Sequence, residues 1–123
     1  MKQTFGQRLR ELRKKRDMIQ RELAERVAAR LKDRGFDVTY LSKIENDKLP
    51  PPSTKTIIEL ATVLHVDSDE LLALAGKVPP DLGETLKQSE AARMFYRSAR
   101  DRKLTEEDWK NLRQELERAK KRK

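Results

Sequence analysis

The stretch 39-TYLSKIENDKLPPPS-53 decides how this chain is read. Its first half, Tyr-Leu-Ser-Lys-Ile-Glu, has helical spacing. Its second half sets Pro50, Pro51 and Pro52 in a row, which excludes both a helix and a central strand. Asp37 is a suitable N-terminal cap, so the spacing predicts a short helix over about 38–46. On a helical wheel Leu41, Ile44 and Glu45 share one side, and Thr39, Lys43 and Asn46 share the other, with Ser42 at its margin. The inner side is apolar apart from one carboxylate. The outer side is small, polar and basic, and suits a polar, anionic surface. A B-form major groove, roughly 12 Å wide, admits one such helix.

Glu45 needs a partner, because a carboxylate near a core is costly when unpaired. Arg13 is the candidate. It lies four residues after Leu9 and flanks the apolar stripe of the first helix. A partly buried Arg13–Glu45 pair would fix how the short helix is presented. A double-mutant cycle on the two residues tests this, and coupling near zero would remove it.

Outward from this stretch the period stays helical. Phe5, Leu9 and Leu12 predict a helix over about 3–16, and Leu23, Ala24, Val27, Ala28 and Leu31 another over about 20–33, with Gly35 as its stop. Ser53 caps a fourth helix striped by Ile57, Leu60, Ala61 and Leu64. Asp67 or Ser68 caps a fifth, closed by Gly76. Strand signals are absent, so the fold class is all-α: a five-helix domain over 1–77 and a helical extension over 78–123. Val78-Pro79-Pro80 marks the boundary. In the extension the pattern predicts helices over about 81–88, 90–102 and 106–120. Thr105 and Asp108 have capping-box spacing, and the basic end 120-KKRK-123 is expected to fray.

Composition narrows the function. The 123 residues carry a net charge of +8, unevenly spread. Residues 1–35 hold 12 basic and 5 acidic groups, 36–78 hold 4 and 7, and 79–123 hold 13 and 9. Such basic ends point either to a polyanion such as nucleic acid or to a solvated, salt-bridged helical surface. There is no cysteine, which excludes disulfides and thiolate metal sites and fits the cytoplasm. The basic N-terminus lacks the apolar stretch of a secretory signal, and no apolar run approaches a membrane span. No HExxH, P-loop or nucleophile–base pair is present, and His65 reads as a turn residue. The expectation is a non-enzyme with no cofactor and no metal.

Leu23-Ala24-Glu25, Gly35-Phe36-Asp37, Tyr40-Leu41-Ser42-Lys43-Ile44-Glu45-Asn46 and Pro52-Ser53 stand in an order that resembles the helix-turn-helix signature of the lambda-repressor-like domains, the XRE family. The resemblance covers residues 5–76. It implies a five-helix DNA-binding domain, usually in a dimeric transcriptional regulator. It also implies that Val38, Thr39, Ser42 and Lys43 read bases, that Gln20 grips a phosphate, and that Asn46 and Lys48 grip the backbone. The family's arginine–glutamate pair falls on Arg13 and Glu45, in agreement with the wheel. There are departures. The span from Leu23 to Glu45 is about seven residues longer than usual, with the insertion around Ala29–Arg34. Ile19 stands where a Ser or Thr cap is usual, and Asp47 where a glycine is usual.

The contact chemistry follows from the residue types. Lys43 can donate to guanine O6 or N7. Thr39 can offer a methyl to thymine or its hydroxyl to either kind of base, and Val38 can only make an apolar contact. Lys48 and Asn46 would set register without reading sequence. The extension is too poor in apolar residues for a core of its own, so Phe95, Trp109, Leu112 and Leu116 need a surface. Its own domain, a second protomer and a protein partner are the three possibilities. The stretch 100-RDRKLTEEDW-109 resembles, more weakly, the tail of regulators paired with ImmA/IrrE-type metallopeptidases, which implies cleavage around Leu104. The reading is a DNA-binding transcriptional repressor, acting as a homodimer on a palindromic operator. The alternative is an antitoxin-type or protease-regulated protein that binds its own promoter and holds a toxin or metallopeptidase through its C-terminal helices.

Overall fold

The computed structural model describes residues 2–121. Among these the secondary structure is all helical: α1 (Phe5–Lys15), α2 (Gln20–Leu31), α3 (Val38–Glu45), α4 (Thr54–Leu64), α5 (Ser68–Leu74), α6 (Pro80–Gln88), α7 (Glu90–Arg102) and α8 (Glu106–Lys121). No described helix is long and apolar enough to cross a membrane. The chain divides into two units, one up to Pro80 with α1–α5 and one from Asp81 onward.

Local chemistry sets the starts of the helices. Thr4 and Gln7 form a reciprocal capping box on α1: Gln7 N donates to Thr4 Oγ1 at 3.1 Å, and Thr4 N donates to Gln7 Oε1 at 3.0 Å. Asp37 accepts from Tyr40 N at 2.8 Å, Ser53 from Thr56 N at 3.3 Å, and Asp67 from Asp69 N at 2.8 Å. Each cap satisfies an amide that the first turn leaves without a carbonyl. The stop of α2 differs from the sequence expectation. Lys32, at φ 55° and ψ 42°, takes the left-handed position three residues before Gly35, and α2 ends at Leu31 rather than near 33. Burial moves the stop: the chain must turn early enough to bring Phe36, only 4% exposed, into the core.

That core belongs to the first unit. Leu9, Leu23, Leu41, Ile44, Ile57, Leu60, Leu64, Leu71 and Leu72 are almost wholly buried. Burying such a side chain stabilises the fold by about 1.5–3 kcal/mol relative to leaving it exposed. α2 packs on α3 and α4, α4 on α5, and α1 on α3 and α5. α3 is therefore held from behind by two longer helices. The longer span after Leu23 becomes part of this frame. Arg30, near the end of α2, forms an ion pair with Glu59 of α4. Asp33 Oδ1 accepts from Gly35 N at 2.8 Å in the turn that follows. The Phe36 ring then meets Tyr40 edge-on, with centroids 5.4 Å apart.

In the second unit Ser89 caps α7 by accepting from Ala92 N at 3.0 Å. Thr105 and Asp108 cap α8 reciprocally, at 2.9 and 3.2 Å, with aspartate in the place where glutamate is more common. Arg93 Nη1 donates to the last carbonyls of α6, Leu86 O at 2.7 Å and Lys87 O at 2.9 Å. Ala99 is the buried apolar residue of this unit among those described, and Phe95, Trp109, Leu112 and Leu116 are exposed. α8 continues to Lys121, so Lys120 and Lys121 are helical where fraying was expected. Residues 122 and 123 lie outside the described residues.

Candidate nucleic-acid interface

Behind α3 lies a buried polar knot. Arg13 is 8% exposed and Glu45 3%. Arg13 Nε donates to Glu45 Oε2 at 2.7 Å and Nη2 to Oε1 at 3.0 Å, a two-pronged contact that fixes both position and orientation. Arg13 Nη1 donates to Met18 O at 2.8 Å, and Gln20 Nε2 donates to Glu45 Oε1 at 2.9 Å. One carboxylate of α3 is thus held by α1, and the same carboxylate ties down the first residue of α2. Among the described residues no buried side-chain nitrogen or oxygen lacks a partner, and that satisfaction is what makes a buried charge pair tolerable.

The C-terminal end of α3 is fixed as tightly. Gly6 of α1 lies against it: a methyl group on Gly6 would collide with the carbonyl oxygens of Ile44 and Glu45 and lie 2.7 Å from Asp47 Oδ1. Only a residue without Cβ allows this approach. Asp47 has a positive φ of 59°. Its Oδ2 accepts from the Thr4 hydroxyl at 2.9 Å, so the side chain that strains the backbone is also tied to α1. Reading the sequence missed Gly6 and Thr4. A signal was present: Gly6, Leu9 and Arg13 fall at helical spacing, and a glycine in a core-facing stripe marks a close approach.

With its back held, α3 turns Thr39 and Lys43 to solvent, and Ser42 is half-buried. Val38 is half-buried too and packs on the core, so part of its surface faces inward. Gln20, Val38, Thr39, Ser42, Lys43, Asn46 and Lys48 together line one open groove of about 430 Å³. Lys48 is brought there by a backbone hydrogen bond, Lys48 N to Lys43 O at 2.8 Å. The amide of Asn46 donates to Ser42 O at 2.9 Å, and that of Gln20 to Glu45, as above. Asn46 Nδ2 also reaches Ser42 Oγ, at 3.4 Å, whereas Gln20 Nε2 has Glu45 as its one acceptor among these contacts and keeps a second hydrogen for an anion. At the start of α2, Ile19 supplies no side-chain cap, and Gln20, the first residue of the helix, lines the same groove.

Phe95, Trp109, Leu112 and Leu116 belong to the second unit, on α7 and α8, and are 56%, 46%, 36% and 57% exposed. No group of three or more His, Asp or Glu side chains able to hold a metal ion occurs among the described residues.

Comparison with known proteins places this arrangement in context. A helix-turn-helix domain family matches residues 4–74, which contain α1–α5. The chain is 37% identical over 92 residues to a Bacillus subtilis (strain 168) protein, the uncharacterized HTH-type transcriptional regulator RghRB. The aligned part is 75% of this chain and 61% of that relative. No solved structure matches.

Proposed function

The chain belongs to the helix-turn-helix domain family, and from that premise we propose that it is a sequence-specific double-stranded DNA-binding regulator that reads the major groove with α3. One observation carries the proposal: seven polar, basic and small side chains from α2, α3 and the turn after α3 converge on one solvent-facing groove, in front of a buried knot that holds α3. In this reading Thr39, Ser42 and Lys43 contact base edges, and Val38 adds an apolar contact with its exposed part. The α2 N-terminus with Gln20, together with Asn46 and Lys48, holds phosphates. The protein works in the cytoplasm as a homodimeric repressor, because two half-sites double the few base contacts that one α3 supplies. The resemblance to the XRE family and the name of the B. subtilis relative support the same class.

Selection of DNA fragments by the purified protein, followed by salt titration on the selected site, tests this. A two-fold symmetric site is the expected result. Lys43→Ala should cost about 1–3 kcal/mol on the preferred base and relax sequence preference. Lys48→Ala should weaken all sequences alike and lower the salt slope by about one. If the two variants lose affinity in the same way, the assignment of base-reading and phosphate-holding roles is wrong.

A further inference from the structure

We propose that two copies of this chain pair through α8, in parallel and in register, along a seam of Trp109, Leu112, Leu116 and Ala119. The inference deepens the reading of the protein as a dimeric DNA-binding regulator by naming the interface that reading requires.

The four residues are spaced 3, 4 and 3 apart, which places them at alternating a and d positions of two heptads. α8 is helical throughout this range, and its start is fixed by the Thr105–Asp108 box. All four side chains are exposed, in a helix whose other positions are almost entirely charged or amide-bearing. The flanking charges identify the occupant. Counted from Trp109 as a, the g positions are Asp108 and Glu115, and the e positions include Arg113 and Lys120. In a parallel pair each g residue faces the e residue five places on in the other helix. Asp108 then meets Arg113 of the second copy, and Glu115 meets Lys120. The two-fold axis doubles both contacts, so all four are attractive.

An antiparallel pair of the same seam sets Arg113 against Arg113 and Glu115 against Glu115, and among the described residues keeps only Glu106 against Lys120 as an attractive contact. Charge therefore selects both a second copy and its direction. The present partners of the acids leave room for this. Asp108 uses one carboxylate oxygen in its cap, and Glu115 holds Arg118 of its own helix at 2.7 Å in an exposed pair that is readily exchanged. Two heptads make a short seam, so the dimer dissociates on dilution.

Sedimentation velocity on the 123-residue chain across a concentration series tests the proposal. The wild type should show a reversible monomer–dimer equilibrium. Leu116→Glu should be monomeric throughout, with far-ultraviolet circular dichroism unchanged. Glu115→Lys and Lys120→Glu should each weaken dimerisation about tenfold, and the double exchange should restore it. These two residues lie five apart on one helix and face different directions, so restoration reports contact between copies. A wild type that stays monomeric overturns the proposal. So does a Glu115→Lys variant that dimerises normally while Lys120→Glu is weak, the antiparallel pattern. Binding of each variant to DNA carrying a single half-site separates the two readings. A monomeric wild type that still binds the half-site sinks only the α8 seam. A dimer with intact charge coupling that binds no DNA sinks only the DNA-binding function.

Discussion

The position of α3 depends on a few residues, Arg13 and Gln20 on Glu45, and Gly6 and Thr4 at its end. Glu45→Ala would leave Arg13 buried beside Met18 O without its carboxylate. The expected cost is about 3–5 kcal/mol, measured by urea denaturation. Replacing Arg13 and Glu45 together by methionine and leucine should recover most of it, because the penalty lies in the unpaired charge. Affinity for DNA should not recover with stability if the pair's role is to orient α3. Gly6→Ala pushes on carbonyl oxygens of Ile44 and Glu45 that cannot move without α3. An expected loss of about 1–3 kcal/mol, again by denaturation, would be accompanied by weaker DNA binding. Asp47 combines two opposing effects, a left-handed backbone and a hydrogen bond to Thr4. Asp47→Gly removes both and should change stability by less than about 1 kcal/mol. Asp47→Ala keeps the strain, loses the bond, and should be the less stable of the two.

At the level of elements, α2 is where the chain departs most from what its motifs suggest. The additional residues do not form a loose loop. Arg30 ties the end of α2 to α4, Lys32 turns the chain, and Phe36 fills the core beside Tyr40. Lys32 carries a side chain in a left-handed position that glycine occupies without cost. Lys32→Gly is therefore expected to raise stability by about 0.5–1 kcal/mol, read as a higher Tm, with DNA affinity unchanged. Phe36 and Asp37 return the chain to the start of α3, so the span can be long after Leu23 without displacing the Asp37 cap. In α3 itself, eight residues suffice because its ends are set by a side-chain cap at one end and by Gly6 at the other.

The whole molecule carries its apolar core in one unit and exposed apolar side chains in the other. The core cluster runs from Phe5 to Leu72, and the second unit has Ala99 as its buried apolar residue among those described. A chain ending at Pro80 should therefore melt cooperatively, as followed by circular dichroism. Its affinity for a two-fold site should fall while its affinity for a half-site is kept. The net charge of +8 acts at this scale as well: affinity for any DNA should fall steeply as salt is raised, as phosphate contacts release counterions.

By itself the sequence determined the helical class, the five helices of the first unit and the orientation of α3. These follow from apolar period, proline and caps, which act over a few residues and are written locally. The wheel put Leu41, Ile44 and Glu45 inward and Thr39 and Lys43 outward, and the chain folds that way because burial outweighs other preferences of so short a helix. What only the tertiary structure decided is how distant residues meet: Gly6 against the end of α3, Thr4 on Asp47, Gln20 joining the Arg13–Glu45 pair, and the early stop at Lys32. The first three join residues far apart in sequence, and the fourth depends on a core, completed by other helices, that takes in Phe36.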